Sequence, residues 1–465
     1  VKEWEELGID PNNPKAPIDT KYFKDLELEI LSQFDDLDNS LDGWLIKSEN
    51  YQALNTILPK FKEKVQMIYI DPPYNTGNDG FQYEDTFQHS SWLTMMDNRL
   101  NLSKIILNDT GTLFTSIGDT LRTEIRINSM SKLQTLLNEV FGEKNFVATF
   151  VRKSGIAPRQ DIKHVANAHD YVLLYGKNEL QVIINRKKAD ISRFRYRDVH
   201  SKERGYFDLN QLDRGSKQYS QSLDYPIQIR KGELIEVFDG KNFRKIRTPE
   251  DITIYPGQDP DDKRWIFTWS APKVSWGIKN DFIVFKKDKK GHWKVYYKEY
   301  ESVDNQGKPR QRTNPFDTLI LEFPNEMGTQ DIYELFGKRL FEYPKPTGLL
   351  QHFLNIGALQ DSIILDFFAG SGTTAHAVMK LNKEDGGRRK FILVEMADYF
   401  ESVIIPRIKK VSYSFNWDNG KPRDADGAGV FLKYYELEQY EEALANCKYE
   451  DGDLFAVPGR SPYQE

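Results

Sequence analysis

The sequence is poor in residues that make covalent or metal cross-links. It has one cysteine, Cys447, and seven histidines in 465 residues. A single thiol rules out an intrachain disulfide framework and fits a reducing compartment. No close Cys/His spacing offers the ligands of a structural zinc site, so no metal is expected. Long apolar runs are also missing. None approaches the roughly 20 residues that span a bilayer, and none has the form of a secretory leader, so a cytoplasmic location with no membrane partner is expected. There is no internal repeat and no low-complexity tract, and the first residue is Val1 rather than methionine.

The net charge of -6 argues against a polyanionic partner until its distribution is read. Residues 181–313 carry 29 Lys/Arg and 19 Asp/Glu, a net of +10, which leaves -16 for the remainder. A basic middle in an acidic chain suggests that the middle meets a polyanion. The plainer alternative is a solvated, charge-rich surface.

Apolar patterning gives the fold class. The run "KVQMIYID" (64–71) reads as a buried strand ending at Asp71, and residues 90–109 have helical spacing at Leu93, Met96, Leu100 and Ile105. Residues 111–119 and 169–177 read as further strands, and 132–142 as a helix stopped by Gly142. Strands alternating with helices indicate an α/β layer with a mostly parallel sheet. The rhythm is lost over 181–313, where short β-like pieces, turns and aromatics indicate a separate β-rich module. It resumes from about 331, with "SIILDFFAGSGTTAHAVMKLN" (362–382) and "KFILVEM" (390–396). The acidic tail beyond 431 has no assignment.

The first of these late segments is strand, glycine turn, helix. The turn Gly370-Ser371-Gly372 permits a tight bend and close approach of backbone to a ligand, and the helix starts near Thr373. Glu395 ends the next strand 23 residues after Gly372, where a carboxylate can accept hydrogen bonds from ribose hydroxyls. The spacing Gly370-x-Gly372-x-x-Ala375 also fits the dinucleotide fingerprint, so a nicotinamide or flavin enzyme is a rival; a P-loop is not, because no Gly-Lys-Ser/Thr follows. A tight connection without ligand is the third reading. This element alone indicates a nucleoside-containing cofactor.

The stretch "IYIDPPYNTG" (68–77) supplies the chemistry. An aromatic amino group such as adenine N6 is a poor nucleophile because its lone pair is delocalised into the ring. If Asp71 accepts one of its N–H groups and the Pro72 carbonyl the other, the nitrogen is drawn toward tetrahedral geometry and its lone pair faces an electrophile. Pro72 and Pro73 hold the two acceptors in fixed relation, so little reorganisation is needed. Tyr74 can stack on the ring, and a base in a duplex has to be flipped out to reach such a pocket. The electrophile that a nucleoside cofactor offers an amine is the sulfonium methyl of S-adenosylmethionine (SAM). Hydride transfer has no use for Asp-Pro-Pro-Tyr. A rigid turn capped by an aromatic is the plain alternative.

These residues carry a family resemblance. "DPPY" resembles the catalytic motif of amino-group DNA methyltransferases, in the Asp form typical of adenine-N6 enzymes; cytosine-N4 enzymes more often carry Ser there. "FFAGSG" resembles their cofactor motif. The order, catalytic motif first, is similar to the β-class arrangement, a circularly permuted Rossmann-like fold with a target-recognition domain inserted between the motifs. "GTLFTSIGD", "NEVFGEKNFV", "HDYVLLYGK", "FEYPKPTGLL" and "RRKFILVEM" resemble the Mod subunit of type III restriction–modification systems, with matches over 45–177 and 325–410. The stretch from Ser116 to Leu137 departs from that pattern, which more often reads Ser-Ile-Asp-Asp and is shorter before its helix.

The resemblance implies base-binding and catalytic roles for Asp71, Pro72, Pro73 and Tyr74. It implies cofactor roles for Lys345, Asp366, Phe368, Gly370, Ser371, Gly372, Thr373 and Glu395, and places Asn75, Asp79 and Tyr83 in a loop over the pocket. It divides the chain into a catalytic half (1–180), a target-recognition domain (181–330), a cofactor-binding half (331–430) and the tail (431–465). Double-stranded DNA, a second copy of the chain and a helicase–nuclease Res subunit are the implied partners.

Overall fold

The computed structural model describes residues 2–74, 89–118, 120–121, 126–127, 129–155, 167–215, 219–258 and 264–438. The chain divides into two compact units, one comprising Val1–Arg186 and Phe316–Glu465, the other Lys187–Pro315.

The first unit is built on a nine-stranded sheet. In chain order its strands are β1 (Gly43–Lys47), β2 (Val65–Ile70), β3 (Leu107–Ile117), β4 (Phe146–Lys153), β5 (His169–Gly176), β6 (Leu319–Ile320), β7 (Ile363–Asp366), β8 (Lys390–Glu395) and β9 (Leu432–Glu436). Across the sheet they lie in the order β6-β4-β5-β3-β2-β7-β8-β1-β9. β5 is antiparallel to both neighbours, and every other pair is parallel. The α/β class and the mostly parallel sheet expected from the strand–helix rhythm are therefore observed.

Helices cover both faces, as the unbroken apolar runs of β2, β7 and β8 demand. Every residue of β2 is buried. Its side chains alternate: Ile68 and Ile70 pack in one layer, Met67 and Tyr69 in the other. The first layer holds α1 (Asn50–Phe61), α2 (His89–Ile106) and α3 (Ser129–Phe141). In α3, Leu133, Leu136, Leu137 and Val140 form the helical stripe that reaches this core, and Gly142 ends the helix at φ +93°. The second layer holds α4 (Asn325–Phe336), α5 (Thr347–Gly357), α6 (Thr373–Asp385) and α7 (Ile405–Tyr413).

One feature of the topology positions the site. The chain leaves β2 through α2 toward β3 on one side, and leaves β7 through α6 toward β8 on the other. The adjacent pair β2/β7 is thus where the strand order reverses, and a crevice opens at the carboxyl ends of such a pair. Asp71 follows β2 and Asp366 ends β7, with Ile68 opposite Leu365 in the register.

The second unit has a five-stranded sheet in the order Phe243–Arg247, Leu234–Phe238, Ile283–Lys287, Trp293–Tyr300, Phe207–Gln211. Its core is largely aromatic, with Phe207, Phe267, Phe282, Phe285 and Tyr300 fully buried. A separate β-rich module was expected over 181–313, inside a target-recognition domain drawn to 330, and the observed unit spans Lys187–Pro315. Residues 316–330 belong to the first unit, because Leu319 and Ile320 pair with Val151 and Arg152 and α4 begins at Asn325. The tail also begins in structure: Leu432–Glu436 adds an edge strand beside β1. Residues beyond 438, and Asn75, Asp79 and Tyr83, lie outside the described residues.

Candidate active site

A cavity of about 1040 Å³, a figure that includes its open mouth, lies at the β2/β7 crevice. Asp71, Pro72, Pro73 and Tyr74 line it, together with Lys345, Asp366, Phe368, Gly370, Ser371, Thr373 and Glu395. Eleven of the twelve residues given catalytic or cofactor roles by the resemblance therefore share one cavity. The exception is Gly372, which caps α6 at φ +77° without forming part of the wall.

The Asp-Pro-Pro-Tyr segment is tied down at each step. Trp92 of α2 donates from its indole nitrogen to the Pro73 carbonyl at 2.9 Å, and Ser129 of α3 donates to the Tyr74 carbonyl at 2.9 Å. Nothing among the described residues donates to the Pro72 carbonyl. Of the three carbonyls, the one next to Asp71 is thus the one with no donor among the described residues. The Tyr74 hydroxyl donates to Asp71 Oδ1 at 2.9 Å, and Lys345 Nζ lies 2.6 Å from Oδ2 and 3.1 Å from the Tyr74 hydroxyl. Each carboxylate oxygen keeps a further lone pair. The Tyr74 ring is backed by Gly118, where an added Cβ would sit 3.0 Å from ring carbons. Burial, and next the charge of Asp71, hold the Tyr74 phenol well above its usual pKa, so it remains a donor.

The glycine turn is organised by two acids. Glu395 Oε2 accepts from the Gly370 amide at 2.9 Å, and Oε1 accepts from the amides of Met396 and Ala397 at 2.9 and 3.1 Å. The carboxylate is thereby fixed at the cavity wall. Gly370 adopts φ +54°, a left-handed conformation that favours glycine. Asp366 has a different part. It is 2% exposed, and its oxygens accept from the Phe368 amide at 3.1 Å and the Thr374 hydroxyl at 2.5 Å. It braces the turn from beneath.

Burial raises the Asp366 carboxyl to about 7. Its protonated form is favoured by folding, so its contribution to stability is fully present below about pH 4 and is lost as pH rises toward about 7. Asp366→Asn keeps a neutral group at every pH. Its stability relative to wild type is therefore expected to improve steadily across that window, a trend read from urea midpoints.

Several supporting residues carried no signal in the sequence. Arg407 of α7 is fully buried and donates to the Ser371 carbonyl at 3.2 Å, Ser371 Oγ at 3.0 Å, Thr373 Oγ1 at 2.9 Å and Thr347 Oγ1 at 3.1 Å. It stitches the turn to α5 and α7. Burial lowers its pKa to about 10, so the guanidinium stays charged near neutrality. Beside it, burial and then the Arg407 charge hold His376 well below its usual pKa. On the opposite wall, Arg152 pairs with Asp170 through Nε at 2.7 Å and through Nη2. Such residues are found only when the chain is folded, since each partner is distant in sequence.

Two acceptors for an amine, a stacking ring and a carboxylate placed for a diol fit an aromatic amine meeting a nucleoside cofactor. Among the described residues no cluster of His, Cys, Asp or Glu could hold a metal, and no helix is long and apolar enough to cross a membrane.

Comparison with known proteins gives the same direction. A family model described as DNA methylase, for N6/N4 methyltransferases, matches residues 65–405. The chain is 30% identical over 386 residues to the type III restriction-modification enzyme EcoPI Mod subunit of Escherichia phage P1, covering 76% of this chain and 57% of that one. It is 31% identical over 379 residues to the StyLTI Mod subunit of Salmonella typhimurium, covering 75% and 51%. The chain thus spans about half the length of these two curated relatives. The type II methyltransferase M.KpnI of Klebsiella pneumoniae is 30% identical over 385 residues, covering 79% of this chain and 83% of that one. With a family model spanning most of its length, this chain belongs to the N6/N4 family of DNA methylases.

Proposed function

We propose that this chain methylates the N6 amine of an adenine flipped out of duplex DNA, with SAM as methyl donor. The observation that carries the reading is the meeting of Asp71 and the open Pro72 carbonyl with the Gly370 turn and Glu395 in one cavity. Bound SAM would supply an electrophilic methyl on a sulfonium sulfur. Phe368, the Gly370 turn and Glu395 would hold its nucleoside, and Lys345, Ser371 and Thr373 line the same cavity.

The remaining work falls to the chain's own groups. Asp71 and the Pro72 carbonyl each accept one amine N–H, which localises the nitrogen lone pair out of the ring plane. Tyr74 stacks on the base and steadies Asp71 through its hydroxyl. Lys345 fixes the other carboxylate oxygen. Transfer would form the N–C bond as the methyl–sulfur bond breaks with its electron pair left on sulfur, and Asp71 is the base placed to take the amine proton through its hydrogen bond. These acceptors are preorganised, which is where such sites derive most of their rate.

Methyl transfer from labelled SAM to duplex DNA, RNA and protein, tested side by side and followed by nucleoside mass spectrometry, checks the reading. N6-methyladenine in duplex DNA is expected. Label appearing only in RNA or protein would defeat it.

Residues 187–315, the core of the basic segment, take the role of target reader. Arginines and aromatics such as those of "RFRYR" (193–197) suit phosphate contact, base-edge readout and stacking. Exchanging this unit for that of a relative is expected to change the methylated sequence, as mapped by methylation-sensitive sequencing; an unchanged site would refute the role.

The similarity to Mod subunits supports a cytoplasmic modification and specificity subunit that dimerises and joins a Res subunit. The equal identity to M.KpnI supports a second reading, methylation without such a partner. Copurification of a helicase–nuclease chain from the native cell separates the two.

A further inference from the structure

Beside Tyr74 the cavity has a wall that no sequence motif singled out. Asp170 and Asn325 line it, and both are held by Arg152. Arg152 is 1% exposed and makes four hydrogen bonds: to both oxygens of Asp170, to the Phe323 carbonyl at 3.0 Å, and to Asn325 Oδ1 at 2.7 Å. Asp170 adjoins the Tyr74 ring, because a Cβ placed on Gly118 would contact both. The Tyr74 hydroxyl also feels the charges of Asp71, Asp170 and Arg152.

The last of these contacts decides which way an amide faces. A guanidinium has donors only, so the Asn325 oxygen is the atom turned to Arg152, and the amide nitrogen takes the other side. Among the described residues nothing accepts a hydrogen bond from that nitrogen. Asn325 is an exposed residue on the cavity wall, and with its oxygen held by the buried Arg152 its amide nitrogen is the polar atom left to meet a ligand there.

An adenine offers a matching group. Its N1, next to the carbon bearing the N6 amine, is an acceptor; guanine and thymine carry an N–H at the corresponding place. We infer that Asn325 is a base-binding residue whose amide nitrogen donates to the ring nitrogen beside the reacting amine, with Arg152 as the positioning residue that fixes the amide. This rests on the proposed adenine methylation and adds a specificity element to it. A site that reads a ring acceptor with a fixed donor rejects a base lacking that acceptor. The Asp71 and Pro72 acceptors read the amine, and Asn325 reads its neighbour, so the two edge positions are tested together.

The test is a cycle between protein and substrate. The methylated position is first mapped with wild-type protein. Duplexes carrying adenine or 1-deazaadenine at that position are then compared for wild type, Asn325→Ala and Asn325→Asp. Wild type is expected to lose about tenfold or more in kcat/KM on the deaza base, the scale of one hydrogen bond whose partner is left unpaired. Asn325→Ala should lose a similar factor on adenine and little more on the deaza base, while its affinity for SAM, which reports folding, is unchanged. Asn325→Asp should not rescue adenine, since it presents no amide donor. Equal deaza penalties in wild type and Asn325→Ala would overturn the inference. Absence of adenine methylation by wild type would overturn the proposed function itself, and this inference with it.

Discussion

Asp71→Ala is expected to lower kcat for methyl transfer by on the order of 10³-fold or more, the loss typical of removing a preorganised group that acts in the transition state. The side chain is the only carboxylate in the Asp-Pro-Pro-Tyr segment, and both of its oxygens are positioned, one by Tyr74 and one by Lys345. Alanine leaves the Pro72 carbonyl as sole acceptor for the amine, so the nitrogen lone pair stays delocalised into the ring. Glu395 and the Gly370 turn, proposed to hold the nucleoside, are built on other strands, so SAM affinity should be largely retained. Labelled-methyl transfer and calorimetric SAM titration on the same preparation separate the two. A variant that transfers methyl groups at the wild-type rate would remove the basis of the mechanism.

Arg152→Met should have the largest effect on stability. The guanidinium is buried, and its bonds join β4 to β5 and to the segment that opens α4. Burial alone would lower its pKa, but the Asp170 carboxylate beside it raises it above the ordinary value, so the two charges depend on each other. Removing one leaves the Asp170 carboxylate buried and unpaired, which costs about 3–5 kcal/mol in comparable cases. A matching fall in the free energy from urea unfolding is the expected result. Arg152→Met with Asp170→Leu should recover much of the loss, because the penalty lies in the orphaned charge rather than in the missing bonds. A single variant as stable as wild type would show that water reaches this pair. The same variants should lose base recognition even where they fold, since Tyr74 and Asn325 both lean on this wall.

Much of the fold was legible along the chain because it depends on local patterning. Continuous apolar runs with both neighbours helical can only be buried parallel strands, and β2, β3, β7 and β8 appear within a few residues of where the runs lie. α3 stops at its glycine for the same local reason. The module boundary was less legible. The β-rich pattern ends near 313 but the target-recognition domain is drawn to 330, whereas two residues, Leu319 and Ile320, pair with β4 and return the chain to the first sheet earlier. A two-residue strand has no periodicity to read. The edge strand Leu432–Glu436 was hidden likewise, inside an acidic tail whose composition gave no sign of sheet pairing.

The sequence by itself determined the chemistry on offer: an acid followed by two prolines and a tyrosine, a glycine turn with a carboxylate at the end of the next strand, and an excess of positive charge between them. These are choices of functional group, and functional groups are visible in a list of residues. Only the tertiary structure decided that they act together. Asp71 and Gly370 stand 299 positions apart in the chain, and they share a cavity because β2 and β7 are neighbours at the point where the sheet reverses its winding. It decided as well which carbonyls are taken, since Trp92 and Ser129 close those of Pro73 and Tyr74 while no described residue donates to that of Pro72. Hydrogen bonds between distant segments are satisfied only after packing, and no residue order announces which partner each one will find.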